Sequence, residues 1–165
     1  MDVQKAMKFV EENGTELEKY RLHYLLGKER DNKVPLRYLR QLQNNDGGFP
    51  YENEKGKVSC TSNTNVNLSL MIELGLAKSN VCRKTVEYLL RVQGRDGSWD
   101  ENEEIKQYNP PFWNLPGDPK TKMWLTADVC NYLIQLNYRE SEAVKKASEF
   151  LLKNRDVEGL SLIHI

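Results

Sequence analysis

No stretch of the sequence approaches the roughly 18 apolar residues that a membrane-spanning helix needs. The opening, Met1-Asp2-Val3-Gln4-Lys5, lacks the apolar core of a secretory leader. Neither sign of charge is in excess, since 24 Lys and Arg face 24 Asp and Glu. No global field therefore draws the chain to nucleic acid or to an anionic membrane, and neither is an expected partner. Cysteine is scarce. Cys60, Cys82 and Cys130 are an odd number at wide spacings, which fits reduced thiols in a cytoplasmic chain better than a disulfide framework. The only histidines are His23 and His164. Strand signals are nearly absent, because no long stretch alternates apolar and polar residues.

What the sequence has is apolar content of 39% against 29% charged, over 165 residues. That suits a globular chain with a real core. It also has an internal repeat. Leu36–Phe49 lies over Val86–Trp99 without gaps, with Tyr38/Tyr88, Leu39/Leu89, Gln43/Gln93, Asp46/Asp96 and Gly47/Gly97 identical. A third, degraded copy follows, with Phe150, Leu151 and Leu152 in place of Tyr88, Leu89 and Leu90, Arg155 for the glutamine, and Gly159 for Gly97. Each copy reads as an amphipathic helix stopped by a turn, with Asp-Gly as the stop in the first two. Between the copies lies a second helix, since Val66–Leu76 matches Asp128–Tyr138 in apolar pattern.

The unit is helix, turn, polar loop, helix, and the expected class is all-α. Helices are expected over 34–43, 62–76, 82–93, 121–137 and 141–153. Val3–Glu12 and Leu17–Gly27 read as a further, degenerate hairpin. The repeats run about 1–33, 34–80, 81–140 and 141–160, in one domain over 1–160. Residues 161–165 match neither earlier loop and are expected to be a truncated or non-native tail.

Tyr88-Leu89-Leu90, Gln93, Asp96-Gly97 and Trp99 resemble the QW motif of squalene–hopene cyclases and their relatives. Tyr38-Leu39, Gln43, Asp46-Gly47 and Phe49 are a variant of it, with phenylalanine for tryptophan. Lys19–Gly27 also resembles the opening of bacterial proteins that carry such repeats. The resemblance is to the terpenoid cyclase and protein prenyltransferase superfamily. It implies an α/α toroid, two concentric rings of helices whose inner ring encloses a ligand cavity. It implies structural roles for Gln43, Phe49, Gln93 and Trp99, the glutamine capping a neighbouring helix end and the aromatic stacking on it. A closed ring needs more hairpins than 165 residues hold. The toroid is therefore expected to be incomplete, with C-terminal repeats of the same chain as its missing partners.

The chemistry of that superfamily is hard to find here. The Asp-x-Asp-Asp that protonates an alkene or epoxide in class II cyclases does not occur, nor does an Asp-rich magnesium motif. The run Asp100-Glu101-Asn102-Glu103-Glu104 reads as a solvated face; calcium binding is the alternative, without proper ligand spacing. Asp128-Val129-Cys130 has the Asp-x-Cys spacing of the prenyltransferase zinc site, which makes Asp128 and Cys130 weak metal candidates. Cys130 aligns with Leu68, so a small buried apolar cysteine is the competing reading. Neither histidine sits in a matching context, and no cofactor is expected. Asp128, aligned with Val66, is a weak catalytic candidate; it could equally pair with an arginine or a helix end. The segment Tyr108–Lys120, stiffened by Pro110, Pro111, Pro116 and Pro119, offers Phe112 and Trp113. With Trp124 and Asp128 they are the candidate ligand-cavity residues, against simple packing of the loop over helix ends.

Three functions follow as expectations. The first is a prenyltransferase-like or squalene cyclase-like repeat protein that binds or converts an isoprenoid-type apolar ligand. The second is a non-catalytic helical-repeat scaffold for a protein or peptide. The third is a carbohydrate-active α/α toroid. Whether the chain is an enzyme is left open by its motifs.

Overall fold

A computed structural model describes residues 2–155. Gly159, His164 and the 161–165 tail lie outside the described residues. The described chain is all-α in class and mostly helical, with one small two-stranded sheet. It divides into two compact units, Met1–Gln41 and Leu42–Ile165, so the division falls inside the 34–80 repeat, near the end of a helix.

In the first unit, α1 (Val3–Asn13) starts at Asp2, whose side chain accepts the backbone N–H groups of Gln4 and Lys5. Helix α2 (Glu16–Leu25) starts on a capping box: Thr15 accepts from the Glu18 backbone while the Glu18 carboxylate accepts from Thr15 N at 2.7 Å. The pair leaves an apolar groove of about 420 Å³, lined in part by Phe9, Val10, Leu22 and Leu25. Helix α3 (Lys33–Leu42) completes the unit, with Pro35 tolerated in its first turn.

The second unit holds β1 (Phe49–Pro50), β2 (Ser59–Cys60), α4 (Thr61–Glu73), α5 (Asn80–Val92), α6 (Pro119–Gln135) and α7 (Glu142–Asn154). Helices α3 to α7 fall within three residues of the ranges read from the sequence. Their ends explain why. Ser79 and Ser141, 62 residues apart, cap α5 and α7 by accepting from Cys82 N and Val144 N. Asp118 caps α6, with Pro119 in the first helical position. Gly75 and Asn137, again 62 apart, follow α4 and α6 with φ of +68° and +69°. Both accept the left-handed stop that β-branched residues resist.

Helix α4 packs on α5 and on α6, and α6 packs on α7. Leu68, Met71, Leu89, Trp99, Leu125 and Leu133 are fully buried between these elements. The antiparallel β1–β2 pair, Phe49 opposite Cys60, closes the loop that leads into α4. Tyr51, Cys60 and Ile105 form a satellite core there, with Tyr108 stacked on Tyr51 at 5.5 Å.

All three cysteines are free thiols and buried. Burial pushes the Cys60 thiol up to about 12 and that of Cys82 to about 11, and Cys130 is raised as well. The thiolate is the reactive form. Iodoacetamide at neutral pH is therefore expected to leave all three unmodified in the folded protein and to modify all three in urea. Rapid native labelling of any one would contradict its burial.

Candidate functional site

The glutamines of the two Asp-Gly turns share two bonds, one to their own turn and one to a helix further along the chain. Gln43 Nε2 donates to Gly47 O at 3.0 Å, to Val81 O at 3.1 Å and to Thr85 Oγ1 at 3.0 Å. Gln93 Nε2 donates to Gly97 O at 2.9 Å and to Ala143 O at 2.8 Å. Val81 and Ala143 are the second residues of α5 and α7. The orphan groups at a helix start are N–H, not C=O. The glutamine therefore ties its turn to the start of α5 or α7 through a carbonyl's second lone pair, which differs from a cap.

The capping role falls to the tryptophan. Trp99 Nε1 donates at 2.7 Å to Leu89 O, among the last four carbonyls of α5 that lack an intrahelical donor. Both Trp99 and Phe49 are fully buried. Their backbone N–H groups are accepted by Thr126 Oγ1 and Thr64 Oγ1, each at 2.9 Å. These two threonines hold the turn aromatics to α6 and α4. They lie 62 residues apart, two residues before the stretch in which the sequence repeat was drawn.

Helices α4 and α6 share a register. Ser62, Val66, Ser69 and Glu73 on α4 correspond at offset 62 to Trp124, Asp128, Asn131 and Gln135 on α6. The spacing of 4, 3 and 4 puts each set on one helix face. All eight are exposed or half-buried, whereas Thr64, Leu68 and Met71, with their counterparts Thr126, Cys130 and Leu133, are buried on the other side.

The aromatic candidates come together at one end of this face. Phe112 and Trp113 pack edge to face with centroids 4.9 Å apart, and are 76% and 58% exposed. The Trp113 carbonyl accepts from Trp124 Nε1 and from Thr121 Oγ1, each at 3.1 Å. Asp128 lies one turn beyond Trp124 on the same face. Its carboxylate accepts from Asn65 Nδ2 on α4 at 3.3 Å. Burial holds the carboxyl above its ordinary value, and the Asn65 bond offsets part of that.

Cys130 faces elsewhere. It is buried, and Ser148 on α7 offsets part of the rise that burial gives its thiol. Asp128 and Cys130 thus address different neighbours, as two residues of separation on a helix dictates. Among the described residues, no group of three His, Cys, Asp or Glu is arranged to hold a metal ion. His23 pairs with Glu11 at 2.6 Å within the first unit.

One reading from the sequence is corrected. The 100–104 run is not a uniformly solvated face, because Glu101 is buried. Its carboxylate accepts from Thr61 N at 2.8 Å and Ser62 N at 3.1 Å. Helix α4 has no side-chain cap of its own, since Cys60 stands at that position. Glu101 supplies the cap from 40 residues downstream, where the negative end also favours the helix dipole. Burial pushes its carboxyl up, against the hydrogen bonds from Ser62, Thr61 and Asn114. Replacing it should leave two N–H groups of α4 unpaired. Glu101→Ala is expected to lower stability by about 1–3 kcal/mol in urea unfolding. Glu103→Ala and Glu104→Ala, both exposed, should stay within about 0.5 kcal/mol. Equal effects at all three positions would contradict the capping role.

The sequence matches no protein-family model, and no curated protein matches it significantly. No helix among the described residues is long and apolar enough to cross a membrane.

Proposed function

We propose that the chain is part of an α/α toroid of the squalene cyclase and prenyltransferase type, and that it binds an apolar, isoprenoid-like ligand on the face shared by α4 and α6. The observation that carries this reading is the aromatic cluster at one end of that face. Phe112 and Trp113 stand largely exposed, beside a Trp124 tied to the Trp113 carbonyl. Exposed apolar clusters of this kind commonly mark binding surfaces. The repeated turn bonds of Gln43 and Gln93, and the common register of α4 and α6, support the toroid. In such a ring α4 and α6 would be inner helices and α5 and α7 outer ones. The proposed activity is binding, and no reaction is assigned to Asp128.

Farnesol titrated into the protein, followed by tryptophan fluorescence, tests the reading. Phe112→Ala and Trp113→Ala should each weaken binding about tenfold, the effect of losing an aromatic contact worth roughly 1–2 kcal/mol. Neither should shift the unfolding midpoint much, because both side chains are exposed. Farnesol affinity unchanged in both variants would overturn the proposal.

A further inference from the structure

The polar atoms around Asp128 are short of donors. Its carboxylate takes one hydrogen bond, from Asn65 Nδ2, at 3.3 Å, beyond the usual N–H···O range. Among the described residues no Lys, Arg or His pairs with it. The carboxamide that holds it brings another acceptor, since Asn65 Oδ1 is buried without a partner. The carboxylate's neighbours in register on this face bring no cation. Trp124 lies one turn before it on α6, and Val66, its counterpart on α4, is 61% exposed. A half-buried carboxylate with one long hydrogen bond is costly unless a cation completes it.

Resting on the apolar-ligand reading above, we propose that the ligand is an amphiphile with a primary ammonium head, seated on Asp128 with its hydrocarbon body running along Trp124 toward Trp113 and Phe112. An ammonium carries three donors and no acceptor, which answers a carboxylate held by a single long hydrogen bond. A hydroxyl head supplies one donor and no charge. A carboxylate or phosphate head meets the Asp128 charge at close range and is repelled.

The test uses the full chain and three eight-carbon probes below their micellar concentrations: octylammonium, octanol and octanoate. Affinities are read by calorimetry and by tryptophan fluorescence. Octylammonium is expected to bind at least about tenfold more tightly than octanol, and octanoate more weakly than either. Asp128→Asn, nearly isosteric, should remove the preference for octylammonium and leave octanol binding in place. Equal affinities for octylammonium and octanol in the unaltered protein would overturn the ammonium proposal, which needs no variant to fold. So would a preference that survives Asp128→Asn. Octanol binding that responds to Phe112→Ala would then leave the apolar-ligand reading standing. No binding of any probe, with farnesol also inert, would remove both.

Discussion

Trp99→Ala is expected to destabilise the protein by about 3–5 kcal/mol, the range for truncating a buried large aromatic. Three losses coincide at this side chain. It is fully buried, so alanine leaves a cavity that the helices around it can fill only in part. Its indole N–H pairs with Leu89 O, and that carbonyl at the end of α5 has no intrahelical donor to fall back on. It sits at the meeting of the α5 turn and α6, where Thr126 holds its backbone N–H. Trp99→Phe separates these contributions. It keeps most of the packing but loses the indole donor and some volume, so it should cost about 1–3 kcal/mol, chiefly for the buried acceptor left unsatisfied. Urea unfolding followed by circular dichroism measures both. A Trp99→Ala protein within about 1 kcal/mol of the parent would mean that the turn is not anchored through this ring. Farnesol affinity should not change specifically, because Trp99 lies on the buried side and the Phe112–Trp113 pair does not.

The helices could be read from the sequence because each carries its own punctuation. Ser79, Asp118 and Ser141 stand where α5, α6 and α7 begin, and Gly75 and Asn137 where α4 and α6 stop. These are local signals, fixed by the backbone groups a helix end leaves unpaired. The start of α4 is the exception, and it shows what local reading misses. Cys60 gives it no cap, and the missing acceptor arrives as Glu101 from the next loop. Its acidic neighbours made Glu101 look solvated, since burial there depends on a helix 40 residues away. The 49–60 hairpin went unread for a simpler reason, because strands of two residues leave no periodic trace.

At the candidate site, the position of Asp128 on its helix followed from the repeat alignment with Val66. Its partner did not. Asn65 lies on the preceding hairpin, and its counterpart 62 residues on is Ala127, so no repeat logic points to it. The division of labour between glutamine and tryptophan was likewise invisible. Spacing brings Gln93 and Trp99 to one turn, but only the geometry assigns the carbonyl of α5 to the indole and that of α7 to the amide.

Gly97→Ala is expected to cost about 2–5 kcal/mol, for two reasons that a control variant separates. Gly97 has φ of +87°, where a side chain costs roughly 1–2 kcal/mol. A Cβ there would also stand 2.4 Å from Lys146 O and 2.6 Å from Lys146 C, both backbone atoms of α7. Backbone inside a packed helix cannot move aside as a side-chain tip can, and overpacking of this kind adds about 1–3 kcal/mol. Gly47 repeats the arrangement, with φ of +90° and Lys84 O of α5 at 2.4 Å, so Gly47→Ala should behave alike. Gly117 has nearly the same φ, +86°, with nothing within 4 Å of its Cβ position. Gly117→Ala should therefore show the backbone cost alone, about 1–2 kcal/mol. The excess at Gly97 and Gly47 over Gly117 measures how closely each turn is pressed onto the helix that follows it. That close approach is what lets Gln93 reach Ala143 and Gln43 reach Val81, so both alanine variants should loosen the junction between successive hairpins. Amide exchange in the first turns of α7 and α5 should speed up in the matching variant, while α6 stays protected. Equal destabilisation at all three glycines, with exchange unchanged in α7 and α5, would show that the turns are fixed by their own backbone and not by contact with the next helix.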